Sequence, residues 1–221
     1  MITILTLAIG VDYRKSLAKA LNSKRIYAEK HSYTYVQGGE EWWDRTRPIA
    51  WSKVAFLIDQ LHRLPEGSLV WLSDADVLLT NLTLTLEDHV MPLLPATKDM
   101  LMFYDACKHL NSGNILMRNT AWTRDFWRRV NERTDCTYHI WWENMAIVRI
   151  LEENPSDRDH VECSSEHKRC NAYVMGLAGE PLWEPGDFLV HFAGVYKPEK
   201  MAALIEQIEQ GITPRLDMYN P

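Results

Sequence analysis

Paired cysteines are missing from this chain. Its four, Cys107, Cys136, Cys163 and Cys170, are spread without the close spacing at which thiolates gather round a structural zinc. They read as free thiols, with a Cys163–Cys170 disulfide as the alternative. A basic excess is missing too. The net charge of −6 offers no field to draw in a polyanion, so nucleic acid is not an expected partner. Nor is there a membrane-spanning run. Ile2 to Val11 is apolar but short, has no basic stretch before it, and stops at Asp12, Arg14 and Lys15. It reads as a buried first strand, and the chain as given is expected to be soluble and cytoplasmic unless an anchor was removed or comes from a partner. Repeats and low-complexity segments are also lacking. Asn81-Leu82-Thr83 matches a glycosylation acceptor, a short pattern that arises by chance and matters only in a secreted protein.

What is present is a chain of 221 residues, 46% hydrophobic, enough to bury one sizeable core. One domain over residues 1–221 is expected. Ile2 to Ala8 has the compact apolar character of a strand covered on both faces. Residues 14–31 carry Leu17, Ala20, Leu21 and Ala28 at helical spacing, and Tyr33 to Val36 is β-rich before Gly38-Gly39. This βαβ opening points to an open α/β sheet. A second amphipathic helix is predicted over 50–63, with Trp51, Val54, Leu57, Ile58 and Leu61 on one stripe, closed by Pro65 and Gly67. Further strands are expected at Ser68 to Leu72, Met100 to Tyr104, Asn114 to Met117 and Phe188 to Phe192. Further helices are expected at about 120–133, 141–153 and 198–210. The polar stretch Asn154 to Asn171 reads as mostly irregular.

Asp74-Ala75-Asp76 follows the Ser68–Leu72 strand at its C-terminal end, the edge at which open α/β sheets bind ligands. In an extended segment alternate side chains share a face, so Asp74 and Asp76 can point together while Ala75 points inward. Two carboxylates can then meet one hard cation, which in turn binds phosphate oxygens. The competing reading is an acidic pair that caps a helix or closes a turn.

The ordered set Arg47-x-x-x-Trp51-x-Lys53, Val70 to Asp76, Asn111-Ser112-Gly113-Asn114 to Asn119, and His191-Phe192-Ala193-Gly194 resembles the galactosyl/xylosyltransferase family related to yeast mannan and plant xyloglucan enzymes. The similarity spans roughly residues 25–200, and its specific part is the order and spacing of the motifs. The resemblance implies a GT-A fold, a nucleotide-sugar donor such as a UDP-hexose or UDP-pentose, a glycan acceptor, Mn2+ (or Mg2+) as cofactor, and retention of anomeric configuration. It makes Asp74, Asp76 and His191 metal ligands, and imidazole beside carboxylates suits manganese better than calcium. By itself, His191 within Phe188 to Phe192 also reads as a satisfied core histidine.

For the donor, Lys53 and Arg47 are candidates to neutralise phosphate, Arg47 with a fork and Lys53 as a point charge, or else they are solvated helix charges. Lys197 resembles the family lysine just after the histidine. Ala75 lets the backbone pass close to the ligand, and Gly194 follows the histidine. Asn111-Ser112-Gly113 reads as a turn before a strand; the resemblance makes its polar groups partners of sugar hydroxyls, with Gly113 allowing close approach. Thr6 and Tyr13 stand where a GT-A uridine site begins. An acidic-acidic-glutamine cluster of the family lies beside the reacting carbon. Trp141-Trp142-Glu143-Asn144 stands in its place, so Glu143 and Asn144 become the catalytic candidates in an altered pattern. Glu143 also reads as an N-terminal helix acid favoured by the macrodipole. Nine tryptophans include the adjacent pairs Trp42-Trp43 and Trp141-Trp142, and one member of each pair is expected to line an acceptor groove, since sugar C–H faces stack on indoles.

Three other readings compete. A phosphohydrolase of the haloacid dehalogenase type also ends an apolar strand in Asp-x-Asp and would add an acidic pair such as Asp157 and Asp159, but it places the motif on its first strand. A non-catalytic carbohydrate-binding protein would be all-β. A nucleotidyltransferase would carry a glycine-rich phosphate loop near the N-terminus.

Overall fold

The computed structural model describes residues 1–218. Strand β1 (Ile2–Leu7) is followed at Gly10 by a φ of 103° that turns the chain into helix α1 (Val11–Ser16). Leu17 interrupts the helical run, and α2 (Ala18–His31) follows, capped by Ser32 in the left-handed conformation. The single helix expected over 14–31 is therefore two. The break sends Leu17 into the core while Tyr13 faces a cleft. Then come β2 (Thr34–Gly38), α3 (Ser52–Arg63), β3 (Leu69–Ser73) and β4 (Val77–Leu79). A short α4 (Leu86–His89), capped by the Thr85 side chain, leads to β5 (Met100–Tyr104) and β6 (Leu110–Arg118).

Helices α5 (Ala121–Glu132) and α6 (Trp142–Glu153) fall where their apolar spacing put them. The stretch expected to be irregular holds α7 (Pro155–Arg158), β7 (Val161–Ser164) and α8 (His167–Cys170). Pro155 starts a helix there because a first-turn residue needs no N–H partner. Last come β8 (Leu189–His191) and α9 (Pro198–Glu209).

Six strands form a mixed sheet in the order β2-β1-β3-β6-β5-β7, and β4 pairs antiparallel with β8 in a separate ribbon. Parallel pairing joins β1 to β2 and β3, and β5 to β7; β6 runs antiparallel to both its neighbours. Side chains alternate across the sheet as strand geometry requires. Val70 and Leu72 pack under α3, α5 and α6 with Trp51, Leu57, Trp127 and Ile147. Trp71, between them, packs on the opposite face with Tyr27, Ala28 and Phe188. Each such large side chain contributes about 1.5–3 kcal/mol when fully buried. A third cluster joins α2 and α9 to Ala75, Leu78 and Phe192.

Asn111-Ser112-Gly113 lies inside β6 rather than in a turn before it. The turn is earlier, at Asp105 to His109, where the Asp105 carboxylate accepts from the N–H groups of Cys107 and His109 and Lys108 takes a φ of 66°. Polar residues occupy the strand because pairing with β3 and β5 supplies their backbone partners. All four cysteines are free thiols, so the Cys163–Cys170 bridge does not form. Among the described residues no helix is long and apolar enough to cross a membrane.

Candidate active site

Asp74-Ala75-Asp76 links β3 to β4 as a tight turn, closed by the N–H of Val77 donating to the carbonyl of Asp74 at 3.2 Å. The extended geometry expected from the sequence is replaced by this reversal, because β4 must turn back to meet β8. The turn is clamped on both sides. The Asp74 N–H donates to the Gly113 carbonyl of β6 at 2.8 Å, and the Phe192 N–H just past β8 donates to the Asp76 carbonyl at 3.0 Å. Register then places His191 opposite Val77. Carboxylate oxygens of Asp74 and Asp76 and a ring nitrogen of His191 all lie within 4.8 Å of one another.

His191 is held in place by a side-chain network. Its Nδ1 is 2.8 Å from Oδ1 of Asn171, which also accepts from Nδ2 of Asn114, while Nδ2 of Asn171 donates to Oδ1 of Asn111. Since Asn171 offers the ring its acceptor oxygen, Nδ1 carries the proton. Nε2 is thereby turned to the acids, 3.4 Å from Asp76 Oδ1, where it donates to that carboxylate when it carries a proton and offers its lone pair when a cation is bound. A metal-ligating histidine oriented through its other nitrogen has this arrangement. The donor set of two carboxylates and one imidazole nitrogen fits a divalent cation of the manganese or magnesium kind. Gly113 makes room for the ring: a Cβ there would sit 2.1 Å from His191 Cε1 and 2.9 Å from both ring nitrogens.

Next to this triad, Lys53 of α3 reaches three groups. Its Nζ lies 2.9 Å from Asp74 Oδ1, 3.0 Å from Glu143 Oε1 at the start of α6, and 3.4 Å from the Ser112 hydroxyl. Burial works against the Lys53 charge, but Asp74 and Glu143 together outweigh it and hold the ammonium protonated well above its ordinary range. Glu143 is itself buried. Its Oε1 also accepts from the Ser112 hydroxyl at 3.0 Å, and its Oε2 has no hydrogen-bond partner. Burial raises the Asp74 carboxyl, opposed by Lys53 and reinforced by the Asp76 charge. For Asp76 burial acts the same way, but the neighbouring His191, and then Lys24, hold it ionised.

Lys24 lies behind the turn and is completely buried. Its Nζ donates to the Val77 carbonyl at 2.6 Å and lies 3.5 Å from that of Ala75. Burial brings its pKa down to about 7, against the opposing pull of Asp76 and Asp74.

A cleft of about 530 Å³ opens beside this cluster, lined by Lys53, Asp74, Ala75 and Asp76 together with Tyr13, Ile49, Ala50, Trp142, Glu143, Gly194 and Tyr196. Burial, and then the Asp76 and Asp74 charges, push the Tyr13 hydroxyl well above its ordinary range, so it stays a neutral donor. Other sequence candidates lie elsewhere. Thr6 is buried in β1 and donates to the Ser73 carbonyl at 2.9 Å, supporting the strand that ends at Asp74. Arg47 is engaged with Asp44, with the carbonyl and side chain of Asn131, and with the face of Trp51. Lys197 is exposed just before α9 and does not line the cleft. Asn144 donates to the Leu110 carbonyl at 2.7 Å and lines a different cavity. Asn111 and Ser112 are turned to Asn171 and to Glu143 respectively.

Sequence reading missed Lys24, Asn114 and Asn171. Lys24 did carry a signal: it stands three or four residues from Ala20, Leu21, Tyr27 and Ala28, on the helix stripe that faces the core. Asn171 carried none. The acidic pair a phosphohydrolase would need is not available either. Asp157 is bound by Arg129 and by the indole N–H of Trp122, and Asp-x-Asp follows the third strand, not the first.

Residues 2–101 match the sequence model of the galactosyl transferase GMA12/MNN10 family. An uncharacterized alpha-1,2-galactosyltransferase of Schizosaccharomyces pombe is 25% identical over 91% of this chain and 62% of its own length. The chain thus spans only part of the relatives it matches, 62%, 60% and 55% of three of them. Among solved structures, a glycosyltransferase involved in glycosylating the major capsid of PBCV-1 superposes with a TM-score of 0.71 at 13% identity, covering 93% of this chain and 98% of that one. The galactosyltransferase LgtC, solved with donor and acceptor sugar analogs, gives 0.58 at 12% identity, covering 98% of both chains. With a mixed sheet of this topology, an Asp-x-Asp turn at the end of its third strand and these structural neighbours, the chain has the GT-A fold, and over residues 2–101 it is similar to the galactosyl transferase GMA12/MNN10 family.

Proposed function

We propose that this chain, as one domain, transfers a sugar from a nucleoside-diphosphate donor to a glycan hydroxyl, with UDP-galactose as the donor to test first and with retention of configuration. The carrying observation is the convergence of Asp74, Asp76 and His191, with both aspartates lining a cleft that also holds Lys53 and Glu143. The names of the yeast relatives support galactose, and the motif resemblance supports UDP and retention.

Asp74, Asp76 and His191 would hold Mn2+ or Mg2+. A cation bound there supplies Lewis acidity that offsets the charge growing on the departing diphosphate. Lys53, protonated and fixed, adds a second positive charge to the floor of the cleft. Glu143 presents a carboxylate whose Oε2 is unpartnered. The Glu143 carboxylate, at the wall of the cleft, steadies positive charge at the anomeric carbon, and we assign the catalytic role to Glu143 ahead of Asn144 because of the two it is Glu143 that lines this cleft. Tyr13 donates its hydroxyl to the donor, and Trp142 and Tyr196 shield the cleft from water.

The test is release of UDP from UDP-galactose in the presence of Mn2+, with and without chelator. Asp76→Asn is expected to reduce the rate at least about 100-fold, as loss of a transition-state charge stabiliser does. Undiminished turnover in chelator would overturn the metal assignment.

A further inference from the structure

The N-terminal end of α6 is a wall with a cavity on each side. Trp142 and Glu143 line the cleft described above; Trp141 and Asn144, their immediate neighbours, line a second cavity of about 620 Å³ between α6 and the β5–β7 edge. That volume falls within the range of about 300–1,000 Å³ typical of ligand sites. Trp142 takes a φ of 41°, a left-handed conformation that costs a bulky residue strain, and this backbone sets two adjacent indoles on opposite sides of the wall.

We propose that the second cavity binds a neutral oligosaccharide, namely the part of a glycan acceptor that lies beyond the sugar receiving the transfer. This deepens the transferase reading and rests on it for the word acceptor, though not for the binding. Four features select the ligand class. Trp141 and Tyr104 are each 38% exposed, so two aromatic faces stand open at the cavity, the natural platform for the C–H face of a pyranose. His109 lies against Trp141 with ring centroids 4.7 Å apart, which fixes the indole in place. Asn144 has its Nδ2 engaged by Leu110, but its Oδ1 is buried and without a partner, an acceptor waiting for a hydroxyl donor. The charged lining residues are of both signs, Lys108 and Arg158 against Glu152, and Lys108 is already paired with Glu180 at 3.1 Å, so the cavity favours neither an anion nor a cation. Because the cavity and the cleft share the wall formed by residues 141–144, a chain ending at Glu143 has a place for its preceding sugars.

The probes are hexasaccharides of mannose, glucose (α- and β-linked) and xylose, together with the corresponding methyl monosaccharides and dodecanoate as an apolar control. Binding is read by calorimetry and by tryptophan fluorescence in chelator without donor, so that catalysis plays no part. At least one hexasaccharide is expected to bind more tightly than its monosaccharide. Trp141→Ala should weaken that binding about tenfold, as loss of an aromatic platform does. Val148→Trp, which fills the cavity from the middle of α6, should abolish it. In the same preparations, Mn2+-dependent hydrolysis of UDP-galactose without acceptor should be unchanged by either substitution. Failure of every hexasaccharide to bind, binding indifferent to both substitutions, or uptake of dodecanoate alone would overturn the proposal. If wild type hydrolyses the donor but binds no saccharide, the cavity assignment falls and the transferase reading stands. If it binds a hexasaccharide at Trp141 but never turns over a nucleotide sugar, the reverse holds.

Discussion

Replacing Gly113 by alanine puts one methyl group into the tightest approach in the site. The new Cβ would lie 2.1 Å from His191 Cε1, where carbon atoms ordinarily come no closer than about 3.5 Å. The imidazole must therefore retreat by about 1.4 Å on that spacing. It has nowhere to go without loss. The ring is 3% exposed, Tyr173 packs beside it with ring centroids 5.5 Å apart, and β8 is pinned to β4 at this residue. A shift of that size stretches the 2.8 Å bond to Asn171 past hydrogen-bonding distance and moves Nε2 off the point it shares with Asp74 and Asp76. Overpacking of this kind costs about 1–3 kcal/mol, equivalent to roughly 2–12 °C in melting temperature for a chain of this size. Disturbing the orientation of a metal-ligating histidine weakens metal binding about 10–100-fold. Titration calorimetry with Mn2+ and a thermal melt of Gly113→Ala read the two effects separately. If Gly113 served only the approach of a donor sugar, Mn2+ would bind as in wild type and UDP-galactose would be lost. Unchanged Mn2+ affinity with an unchanged melt refutes the role given to Gly113 here.

Two further outcomes follow from the buried lysines. Lys53→Met removes the shared partner of Asp74 and Glu143 and leaves buried charge uncompensated. The expected loss is about 3 kcal/mol, the low end for a broken buried pair because Asp74 is partly open to water, and urea unfolding measures it. Lys24 gives a pH dependence. Its folded pKa, about 7, lies below its unfolded value, so between the two the unfolded chain binds more protons and stability rises with pH. From pH 7 to 9 the gain due to Lys24 alone is about 2 kcal/mol. Half-buried Cys163, its thiol pushed up to about 11 by desolvation, acts in the opposite sense, so the measurement is the difference between wild type and Lys24→Met at the two pH values in chelator. A difference that does not change with pH would show that Lys24 is not held with a depressed pKa.

Much of the architecture could be read from local pattern. The apolar period of α3, which buries one face, and the compact strands β1, β3 and β5, apolar throughout because both their faces are covered, were plain in the sequence. The triplet, Lys53 and His191 were legible as a group only through the order of the motifs, and the structure brings them together. What was not legible depends on contacts distant in sequence. β7 exists because β5 offers it an edge, β4 because β8 returns beside it, and the polar start of β6 because two neighbours complete its ladder. The same holds for Gly113, whose role is set by a ring 78 positions further along the chain, and for Asn171, whose amide acts only once His191, Asn114 and Asn111 surround it.

Lys24 ties the Asp-x-Asp turn to a helix whose buried face is docked in the core. The two carbonyls it approaches flank Asp76, and α2 carries Tyr27 and Ala28 into the packing against Trp71 and Phe188 on one side and Ala20 and Leu21 toward α9 on the other. Loosening the turn while α2 stays docked would strand a buried ammonium, and releasing α2 would open two of the three clusters of packed side chains. The turn therefore belongs to the same cooperative unfolding unit as the sheet. A site built in this way has no half-melted state in which the fold survives while Asp74, Asp76 and His191 wander. Heat or denaturant takes both together, and residual activity in a stressed sample counts the molecules still fully folded.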